Sequence, residues 1–502
     1  MNVTMLLDMA IDGFGDRVMI GRREGGITAA RLGAMSEAGA AAIRESGADS
    51  VVYLAVNGPA FPVAMFAAAR AGVPLVPVNY RLGAEQLRLL LANHPRALGI
   101  ADEARVAALR DAGLAALTPA QWLARTAEPV AVGIDVSPNS DESAAPAVVI
   151  YTSGTTSAPK GVLLRHENLT SYVFGSVEFA SAEPTDAALI SVPPYHIAAV
   201  ANAITSLFAG RRTLVLEQFT PAQWLQLARE EEITNALVVP TMLSRIVEAD
   251  EDKALPSLRS LAYGGAPMPT ALIERALRMW PEVGFVNAYG LTETSSTVAV
   301  LGPEDHRAAL ASDDPAVRAR LGSVGQVVPG IDLEIRDANG AVVGPGVAGS
   351  ICVRGEQVSA EYAGIGRAVD DRGFFDTRDK GYLDEAGYLY IGGRMDDTII
   401  RGAENIAPAE IEEVILRHPA VLDTAVVGVP DEVWGQRIEA AVVVRAGMEL
   451  SSDDLRAYVR AVLRGSKTPE RVFYWDDLPR TETGKLVRRH VLERILADDV
   501  VV

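Results

Sequence analysis

The chain has 502 residues, of which 49% are hydrophobic and 22% are charged, and its formal net charge is −19. This composition is typical of a globular protein with sizeable cores, and the length predicts two or three domains. Because an acidic surface repels phosphate backbones and anionic lipids, nucleic acid and membrane surfaces are excluded as main partners.

The cysteine content and the uncharged stretches argue against a disulfide-bonded, secreted or membrane-spanning protein. The single cysteine, Cys352, cannot form an internal disulfide or a multi-cysteine zinc site, and its apolar surroundings indicate a core strand. Residues 1–15 have no basic region ahead of an apolar stretch, so they do not resemble a secretory signal. The longest uncharged stretch, 187–210, contains Pro193 and Pro194, which argues against a membrane helix. We therefore expect a cytoplasmic protein.

Helix-like and strand-like runs alternate from the N-terminus onward. Alternation of this kind predicts βαβ units and a parallel sheet. The predicted helices lie at 29–45, 60–71, 221–231 and 241–249, and the predicted strands at 51–56, 73–78, 147–151, 214–216, 236–239, 258–263 and 284–288. Between these elements, residues 127–145 are rich in Pro, Gly, Ser and Asp and are predicted to form a loop.

From about Gly322 the pattern changes to short strand-like pieces. Those at 332–336, 349–354 and 387–391 are separated by Gly, Pro and Asp, which predicts a small barrel or an antiparallel sheet. After Arg394 a compact α+β unit is predicted. Its helices are expected at 408–416 and 452–463, and its strands at 424–429 and 440–444.

A loop of small polar residues, 151–161, follows the strand predicted at 147–151. Small residues let backbone N–H groups approach oxygen atoms, Ser153, Thr155 and Thr156 supply hydroxyl donors, and Lys160 adds a cation. These groups suit a polyphosphate, and an ordinary polar loop is the alternative interpretation. The order of Gly, Lys and Ser/Thr is not that of a Walker A loop.

The same loop resembles the signature loop of the adenylate-forming superfamily, which comprises acyl-CoA synthetases, the adenylation domains of peptide synthetases, and firefly luciferase. Its usual pattern is Tyr-Thr-Ser-Gly-Thr-Thr-Gly-x-Pro-Lys-Gly, from which only Ser157 departs, and Ser restricts φ where Gly does not. Four further segments match in order, so the resemblance covers nearly the whole chain and is closest to acyl-CoA synthetases. It implies that nucleotide is bound by Thr152, Ser153, Gly154, Thr155, Thr156 and Lys160.

Two segments in the middle of the chain resemble the family's adenine and phosphate contacts. By this resemblance Tyr289 stacks on adenine, Thr292 contacts phosphate, and Glu293 helps to hold Mg²⁺ together with Thr155. A carboxylate beside a triphosphate is repelled unless a divalent cation lies between them, so the role implied for Glu293 is physically sound. The other nucleotide-binding residues implied here are Gly264, Gly265, Ala266, Ala288 and Gly290.

Asp379 and Arg394 resemble the family's two ribose contacts. A carboxylate suits a cis-diol because one oxygen can accept a hydrogen bond from each hydroxyl. Alone, either residue would be an ordinary salt-bridge candidate. The family usually carries glycine where Arg378 stands, which is the largest departure from its pattern. A long cation there either pairs with phosphate or crowds the ribose site, so the rate of adenylation stays open.

Asp396 lies where the family has a hinge, about which the small C-terminal domain rotates between two half-reactions. The segment that follows resembles the loop that approaches the pantetheine of coenzyme A, and it contributes Arg401, Gly402, Ala403 and Glu404. Gly402 matches a position where bulk would block the thiol, and Ala403 replaces a second glycine.

Lys485, in the segment 479–485, matches the family's catalytic lysine. As the substrate carboxylate attacks the α-phosphorus, negative charge grows on phosphoryl oxygens and on the leaving pyrophosphate, and an ammonium between them stabilises that charge. Without the resemblance, a lysine near the C-terminus would be interpreted as solvated surface. The implied catalytic set is Lys485, Thr292 and Glu293.

The resemblance also implies where the acyl group binds. The implied pocket residues are Tyr195, His196, Val200, Gly265 and Met268. His196 either gates this pocket or packs as a core histidine. Since the segments around these residues are rich in small and apolar residues and carry no Lys or Arg, we expect a neutral, fairly bulky hydrophobic acid rather than a diacid or an amino acid.

Taken whole, the resemblance implies an α/β fold in two unequal domains. A large N-terminal domain (1–395) of stacked mixed and parallel sheets, with a small β-barrel-like subdomain (about 322–393), is followed by a small mobile α+β domain (396–502). The implied function is an acid–CoA ligase that uses ATP, Mg²⁺ and coenzyme A on a small-molecule carboxylic acid. The alternatives are an enzyme that loads a carrier protein, a member that performs mainly the thioester-forming step, and a nucleotide sensor. A homodimer is an untested expectation.

Overall fold

A computed structural model describes residues 1–128, 145–152, 160–394, 397–401, 404–431, 434–463, 465–481 and 484–499. The helices are α1 (Thr4–Phe14), α2 (Ala29–Ser46), α3 (Ala60–Ala71), α4 (Ala84–Leu91), α5 (Glu103–Asp111), α6 (Pro119–Ala127), α7 (His166–Ser176), α8 (Ile197–Ala209), α9 (Pro221–Glu230), α10 (Pro240–Glu248), α11 (Thr270–Met279), α12 (Pro303–Ala311), α13 (Pro315–Ala319), α14 (Pro408–Leu416), α15 (Ser452–Val462) and α16 (Arg488–Asp499). Within the described ranges, no helix has both the length and the apolar character needed to cross a membrane.

The strands of the large domain are β1 (Val18–Ile20), β2 (Ile27–Thr28), β3 (Ser50–Leu54), β4 (Leu75–Pro77), β5 (Ala97–Ala101), β6 (Ala115–Leu117), β7 (Val148–Thr152), β8 (Lys160–Leu164), β9 (Ala187–Ile190), β10 (Arg212–Val215), β11 (Asn235–Val238), β12 (Ser260–Gly264), β13 (Gly284–Leu291), β14 (Ser296–Leu301), β15 (Gln326–Val327), β16 (Asp332–Arg336), β17 (Gly349–Arg354), β18 (Glu361–Tyr362), β19 (Gly366–Arg367), β20 (Phe375–Leu383) and β21 (Leu389–Arg394). The strands that follow are β22 (Ile399–Arg401), β23 (Glu404–Ile406), β24 (Val421–Asp431), β25 (Gly435–Val444) and β26 (Arg471–Tyr474). Most of the loop predicted at 127–145 lies outside the described residues.

Two mixed sheets form the body of the large domain. One has the order β15-β14-β13-β12-β11-β9-β10-β1-β2, and the other the order β19-β18-β8-β7-β4-β3-β5-β6. Their central strands β9 to β13 and β3 to β6 pair in parallel, which confirms the predicted βαβ pattern. Antiparallel partners are added where β7 meets β8 and where β13 meets β14.

Strand β3 shows why short apolar runs become central strands. Because successive side chains point to opposite faces, Val51 and Tyr53 enter the core shared with α1, α2, α3 and α8. Val52 and Leu54 enter a separate core with α4 and α5. All four side chains are fully buried, so both faces demand apolar residues and the strand shows no polar alternation.

The predicted β-rich region contains an antiparallel sheet in the order β16-β17-β20-β21, the second of the two predicted alternatives. The strand predicted at 387–391 instead begins at Leu389. Gly387 has a φ of +81°, which places it in the turn before β21 rather than in the strand. The pairing of β17 with β20 shifts register between Ser350 and Cys352, so the β20 residues opposite this point bulge out of the ladder.

The C-terminal domain is a sheet of β24, β25 and β26 covered on both faces. Helices α14 and α15 pack on one face, and α16 with Trp475 packs on the other. The predicted strands at 424–429 and 440–444 are the apolar parts of β24 and β25. Both strands continue beyond these parts into a polar hairpin in which Asp431 pairs with Gly435. Asp431 and Gly435 are held by backbone pairing and are not apolar, so the sequence does not predict this extension.

The two domains touch through small polar contacts. The Arg445 guanidinium of the C-terminal domain lies 2.6 Å from the Glu248 carboxylate in α10. The Thr270 hydroxyl at the start of α11 donates to Glu413 in α14 at 2.9 Å. These contacts close a cleft between the domains, on the side where β12 and β13 end.

A buried ion pair ties β10 to the end of α9 in the large domain. Arg212 Nη1 lies 2.9 Å from Glu231 Oε2, and the two side chains are 6% and 9% exposed. Arg212 also donates to the carbonyl oxygens of Gly21 and Glu231. Burial lowers the pKa of Arg212, while the Glu231 charge opposes that shift.

Replacing Glu231 by alanine is expected to lower the free energy of unfolding by about 3–5 kcal/mol, because it leaves Arg212 buried without its counter-charge. Glu232 next to it pairs with Arg23 at the surface, so Glu232→Ala is a matched control expected to cost at most about 1 kcal/mol. Urea-induced unfolding of both variants measures the difference. Equal losses would show that burial of the Arg212–Glu231 pair does not matter.

Candidate active site

The cleft between the two domains has a volume of about 3270 Å³. The carboxyl ends of the parallel strands β12 and β13 open into it, which is where ligands bind in open α/β sheets. The structure brings many of the sequence-predicted site residues to this cleft. They are Thr152, Lys160, Tyr195, His196, Gly264, Gly265, Ala266, Met268, Ala288, Tyr289, Gly290, Thr292, Glu293, Asp379, Arg394 and Lys485.

Asp379 is held between Arg394 and Tyr289. Antiparallel pairing of β20 with β21 sets Asp379 opposite Arg394, whose Nε lies 2.9 Å from Asp379 Oδ1. The Tyr289 hydroxyl, from β13 of another sheet, donates to Asp379 Oδ2 at 2.7 Å. Burial raises the pKa of Asp379, and the Arg394 charge and the Tyr289 hydrogen bond oppose it. Because a carboxylate oxygen can accept more than one hydrogen bond, Asp379 keeps acceptor capacity for a ligand diol.

Glu293 and Tyr362 form a second polar pair in the cleft. Glu293 lies in a single 3₁₀ turn, Thr292–Thr294, directly after β13. The Tyr362 hydroxyl from β18 donates to Glu293 Oε1 at 3.0 Å, and the Lys160 ammonium lies 5.7 Å from the centre of the Tyr362 ring. Burial raises the pKa of Tyr362 and the Glu293 charge adds to the shift, so the phenol remains a hydrogen-bond donor.

Lys485 is carried into the cleft by a tight turn of the C-terminal domain. Its backbone N–H donates to Thr481 Oγ1 at 3.1 Å, and the Arg480 side chain binds both Asp423 and the carbonyl oxygen of Gly484. Gly484 has a φ of +73°, and a Cβ atom there would lie 2.1 Å from Thr241 Oγ1 of the large domain. Glycine is therefore required both by the turn and by the close approach of the domains.

The charge of Lys485 lies within electrostatic reach of carboxylates from both domains. The side chain is accessible from the cleft, yet the protein around it and the nearby Arg394 lower the pKa of its ammonium. Asp379, Asp397 and Glu293 oppose that shift. A cation from the C-terminal domain thus joins the acidic and basic groups of the large domain in one place.

His196 and Tyr195 line the cleft directly before α8. Their ring centroids are 4.6 Å apart, and Tyr195 also packs edge-on against Tyr80. Burial lowers the pKa of His196 to about 4, and the Lys485 charge adds to the shift. His196 is therefore neutral near pH 7. Beyond it the cleft is lined from α8 by Ala198, Ala201, Asn202 and Thr205.

Three predicted residues lie elsewhere in this arrangement. Val200 is fully buried in the core of the large domain, because α8 turns Asn202 and Thr205 to the cleft and Val200 with Ile204 to the core. Arg401 and Glu404 lie in the β22–β23 hairpin, away from the cleft lining, and Arg401 binds Glu470 at 2.6 Å. Seven further predicted residues lie outside the described ranges: Ser153, Gly154, Thr155, Thr156, Asp396, Gly402 and Ala403.

Tyr362 and Arg488 also line the cleft, although neither is predicted from the sequence. Tyr362 lies in β18, a strand of two residues with no helical or alternating pattern around it. Arg488 begins α16 and binds Glu412 Oε2 at 2.8 Å and Asp397 at 3.3 Å. It thereby fixes the start of the C-terminal domain against its last helix. Neither residue belongs to a local motif, so only the fold identifies them.

The chemistry of these groups fits a nucleotide and a divalent cation. Lys160 and Lys485 line the cleft and could supply positive charge for phosphates, and Asp379 could supply acceptors for a ribose. Mg²⁺ is usually held by one or two carboxylates together with phosphate oxygens and waters, and Glu293 offers one such carboxylate. Thr292 adds a hydroxyl beside it.

The family of the chain is shown by two matching models. The model described as AMP-binding enzyme matches residues 7–363, and that described as AMP-binding enzyme C-terminal domain matches residues 410–485. The chain therefore belongs to the AMP-binding enzyme family, the adenylate-forming superfamily predicted from its motifs.

The chain is also similar over most of its length to individual proteins of known name. The chain is 32% identical over 467 residues to the fatty acid–[acyl-carrier-protein] ligase ScoC of Streptomyces coeruleorubidus, covering 90% of this chain and 87% of the relative. It is 34% identical over 457 residues to a feruloyl-CoA synthase of an Amycolatopsis species, covering 89% of each chain. Its structure is similar to the o-succinylbenzoate CoA synthetase MenE of Bacillus subtilis in complex with an acyl-adenylate, with a TM-score of 0.84, 27% identity and 97% of each chain covered.

The lowered pKa of His196 provides a test of whether the C-terminal domain places Lys485 near this histidine. We expect its imidazole to titrate with a midpoint of about 4, measured by NMR on protein with ¹³C-labelled histidine. In Lys485→Ala the midpoint should rise, because one cause of the shift is removed, but it should stay below the ordinary value of about 6.5 because burial persists.

Lys253→Ala, which changes a lysine outside the cleft lining, is the control and should leave the midpoint unchanged. Between about pH 4 and about pH 6.5 the unfolded chain takes up a proton at His196 that the folded chain does not. The contribution of His196 to stability therefore falls as the pH falls through that range. A wild-type midpoint near 6.5 would contradict the buried position of the ring.

Proposed function

We propose that this chain is an ATP-dependent, AMP-forming carboxylic acid–CoA ligase. In the first half-reaction the acid's carboxylate attacks the α-phosphorus of ATP, which forms an acyl-adenylate and releases pyrophosphate. In the second, the thiol of coenzyme A attacks the acyl carbon, which forms the thioester and releases AMP. The observation that carries the proposal is the meeting of Lys485 with Asp379, Arg394 and Glu293 in one cleft.

The first half-reaction uses the charges gathered in the cleft. Asp379 accepts hydrogen bonds from the ribose hydroxyls, Arg394 fixes Asp379 in place, and Tyr289 lies against the adenine. Lys485 stabilises the negative charge that grows on the phosphoryl oxygens during attack, which lowers the barrier more than it stabilises the ground state. Lys160 and the hydroxyls of Ser153, Thr155 and Thr156 hold the phosphates, as the motif implies.

Glu293 and Thr155 are the groups that would hold Mg²⁺ beside the nucleotide. The bound ion supplies positive charge to phosphate oxygens. The Tyr362 hydroxyl donates to one oxygen of Glu293, which orients the carboxylate and leaves its other oxygen for the ion. Replacement of Tyr362 would therefore act on the nucleotide through Glu293.

The second half-reaction requires a different position of the C-terminal domain (396–502). Arg401 and Glu404 lie away from the cleft lining in this arrangement, although they match the segment that approaches pantetheine. We therefore propose rotation of this domain against residues 1–395 about Asp396, which would bring Arg401, Gly402, Ala403 and Glu404 to the acyl-adenylate.

The acyl group that fits is neutral and hydrophobic. The lining of the cleft includes the apolar residues Ala198, Ala201, Leu237 and Val239 and the uncharged polar residues Asn202 and Thr205. Because His196 is neutral near pH 7, it offers no positive charge to a second carboxylate on the substrate. A diacid would there pay the desolvation of a charge without a partner.

Loading of a carrier protein is the second candidate for the thioester-forming step. It is favoured by the similarity to a fatty acid–[acyl-carrier-protein] ligase over 90% of this chain. The two acceptors are separated by supplying the adenylating enzyme with either coenzyme A or a phosphopantetheine-bearing carrier protein. Thioester formed only with the carrier protein would contradict the CoA ligase.

Lys485→Ala is expected to slow acid-dependent ATP–pyrophosphate exchange by about 10²–10³-fold, because the ammonium stabilises charge that develops in the transition state. Thioester formation from a chemically prepared acyl-adenylate should be retained, since Lys485 acts in the first half-reaction. Lys253→Ala is the matched control and should keep both activities. Full activity of Lys485→Ala in both assays would contradict the role of this lysine.

A screen of acids, with CoA thioesters detected by mass spectrometry, tests the acyl class. We expect neutral acids with a bulky apolar body to be converted, because the lining from α8, Leu237 and Val239 is mostly apolar and carries no charge. Malonate and free amino acids are the matched small polar comparisons. Preferential turnover of malonate would contradict this assignment.

A further inference from the structure

Arg378 occupies an unusual position beside the Asp379–Arg394 pair. It lies in β20 where the pairing with β17 shifts register, so it bulges from the ladder rather than pairing across it. Its neighbour Asp379 remains paired with Arg394 in β21. The bulge turns the Arg378 side chain into the lining of the cleft, where it is exposed.

The backbone of Arg378 is strained. Its φ is +59°, in the left-handed region where a Cβ atom is disfavoured and glycine is the residue usually found. The backbone N–H donates to Asp376 Oδ1 at 2.8 Å, and Asp376 in turn accepts from the Ser350 hydroxyl, which holds this conformation. A long side chain kept at such a position indicates a function for that side chain.

The Arg378 guanidinium has no counter-charge in the described part of the chain. Only the backbone N–H of Arg378 takes part in the hydrogen bonds and ion pairs found there. Arg394, by contrast, is paired with Asp379 at 2.9 Å. An arginine without a partner in a polar cleft has its donors available for a ligand anion.

The surroundings of Arg378 indicate which part of a ligand it faces. Its main chain adjoins Asp379, the proposed ribose contact. Its side chain lines the cleft together with Tyr362, where its charge opposes the rise in the pKa of that phenol. Tyr362 donates to Glu293, the residue proposed to stand beside the phosphates. The side chain therefore extends from the ribose end of the site toward the phosphate end.

We propose that Arg378 is an additional phosphate-binding residue of this chain, whose guanidinium contacts the phosphates of ATP beyond the α-phosphate. This inference rests on the proposed function, because it assumes a nucleotide in the cleft. A guanidinium can bind two oxygens of a phosphate with two parallel N–H donors. Because Arg378 lines the cleft beside Asp379 and Tyr362, we assign it to the phosphates of the nucleotide rather than to the carboxylate of the acid substrate.

Calorimetric titration of the whole chain with ATP and with AMP, both with magnesium, tests this contact. Arg378→Gly should fold, because glycine suits a φ of +59°. We expect it to bind ATP about 10-fold more weakly than wild type, the effect of a lost charge-assisted hydrogen bond, and AMP about equally well. Arg378→Lys, which keeps the charge but not the fork of donors, should lie between the two.

Ala180→Gly is the matched control for the backbone. Ala180 has a φ of +55° and lies outside the cleft lining, so glycine should raise thermal stability there, as at Arg378, without changing ATP affinity. Equal weakening of ATP and AMP by Arg378→Gly would overturn the proposal, since the effect would then come from the ribose pair. Tighter ATP binding would also overturn it, since Arg378 would then crowd the site.

Coenzyme A is the other source of phosphate groups. Titration with coenzyme A and with 3′-dephospho-coenzyme A separates it from ATP. Weaker binding of coenzyme A by Arg378→Gly, with ATP unchanged, would assign Arg378 to the coenzyme and overturn the proposal. A wild-type chain that binds neither ATP nor AMP would contradict the proposed function itself.

Discussion

The pairing of Asp379 with Arg394 is the interaction on which the cleft depends. A carboxylate that is only 10% exposed is costly unless it is paired and hydrogen-bonded, and here β20 and β21 place the guanidinium opposite it. Tyr289 reaches the same carboxylate from another sheet. The cluster of Asp379, Arg394 and Tyr289 therefore forms only if β13 of the large sheet lies against the antiparallel sheet of β20 and β21. This arrangement is present without a ligand.

The C-terminal domain adds its cation through contacts that are individually weak. Arg445 with Glu248 and Thr270 with Glu413 are single polar contacts between partly exposed groups, and pairs of this kind contribute at most about 1 kcal/mol each. The domains also approach closely at Gly484, where there is no room for a Cβ atom beside Thr241. A domain held this way can deliver Lys485 and also leave, which suits the proposed rotation between two half-reactions.

Helices and strands that are determined by their own residues could be predicted from the sequence. Helices α3 and α14 and strands β16 and β17 have the bounds that their periodicity predicts, and the motifs indicate which loops meet at the strand ends. It was harder to predict which side of a helix faces the cleft. For α8 this depends on the elements against which the helix packs. That is why Val200 belongs to the core. Tyr362 and Arg488 act only through partners distant in sequence, so no local pattern reveals them.

The most direct test of the account is a crystal structure with a non-hydrolysable acyl-adenylate analogue of a hydrophobic acid. We expect the ribose hydroxyls within hydrogen-bonding distance of Asp379, the Lys485 ammonium beside the group that replaces the α-phosphate, and the acyl chain beyond His196. An analogue bound outside this cleft, or a ribose on groups other than Asp379, would contradict it.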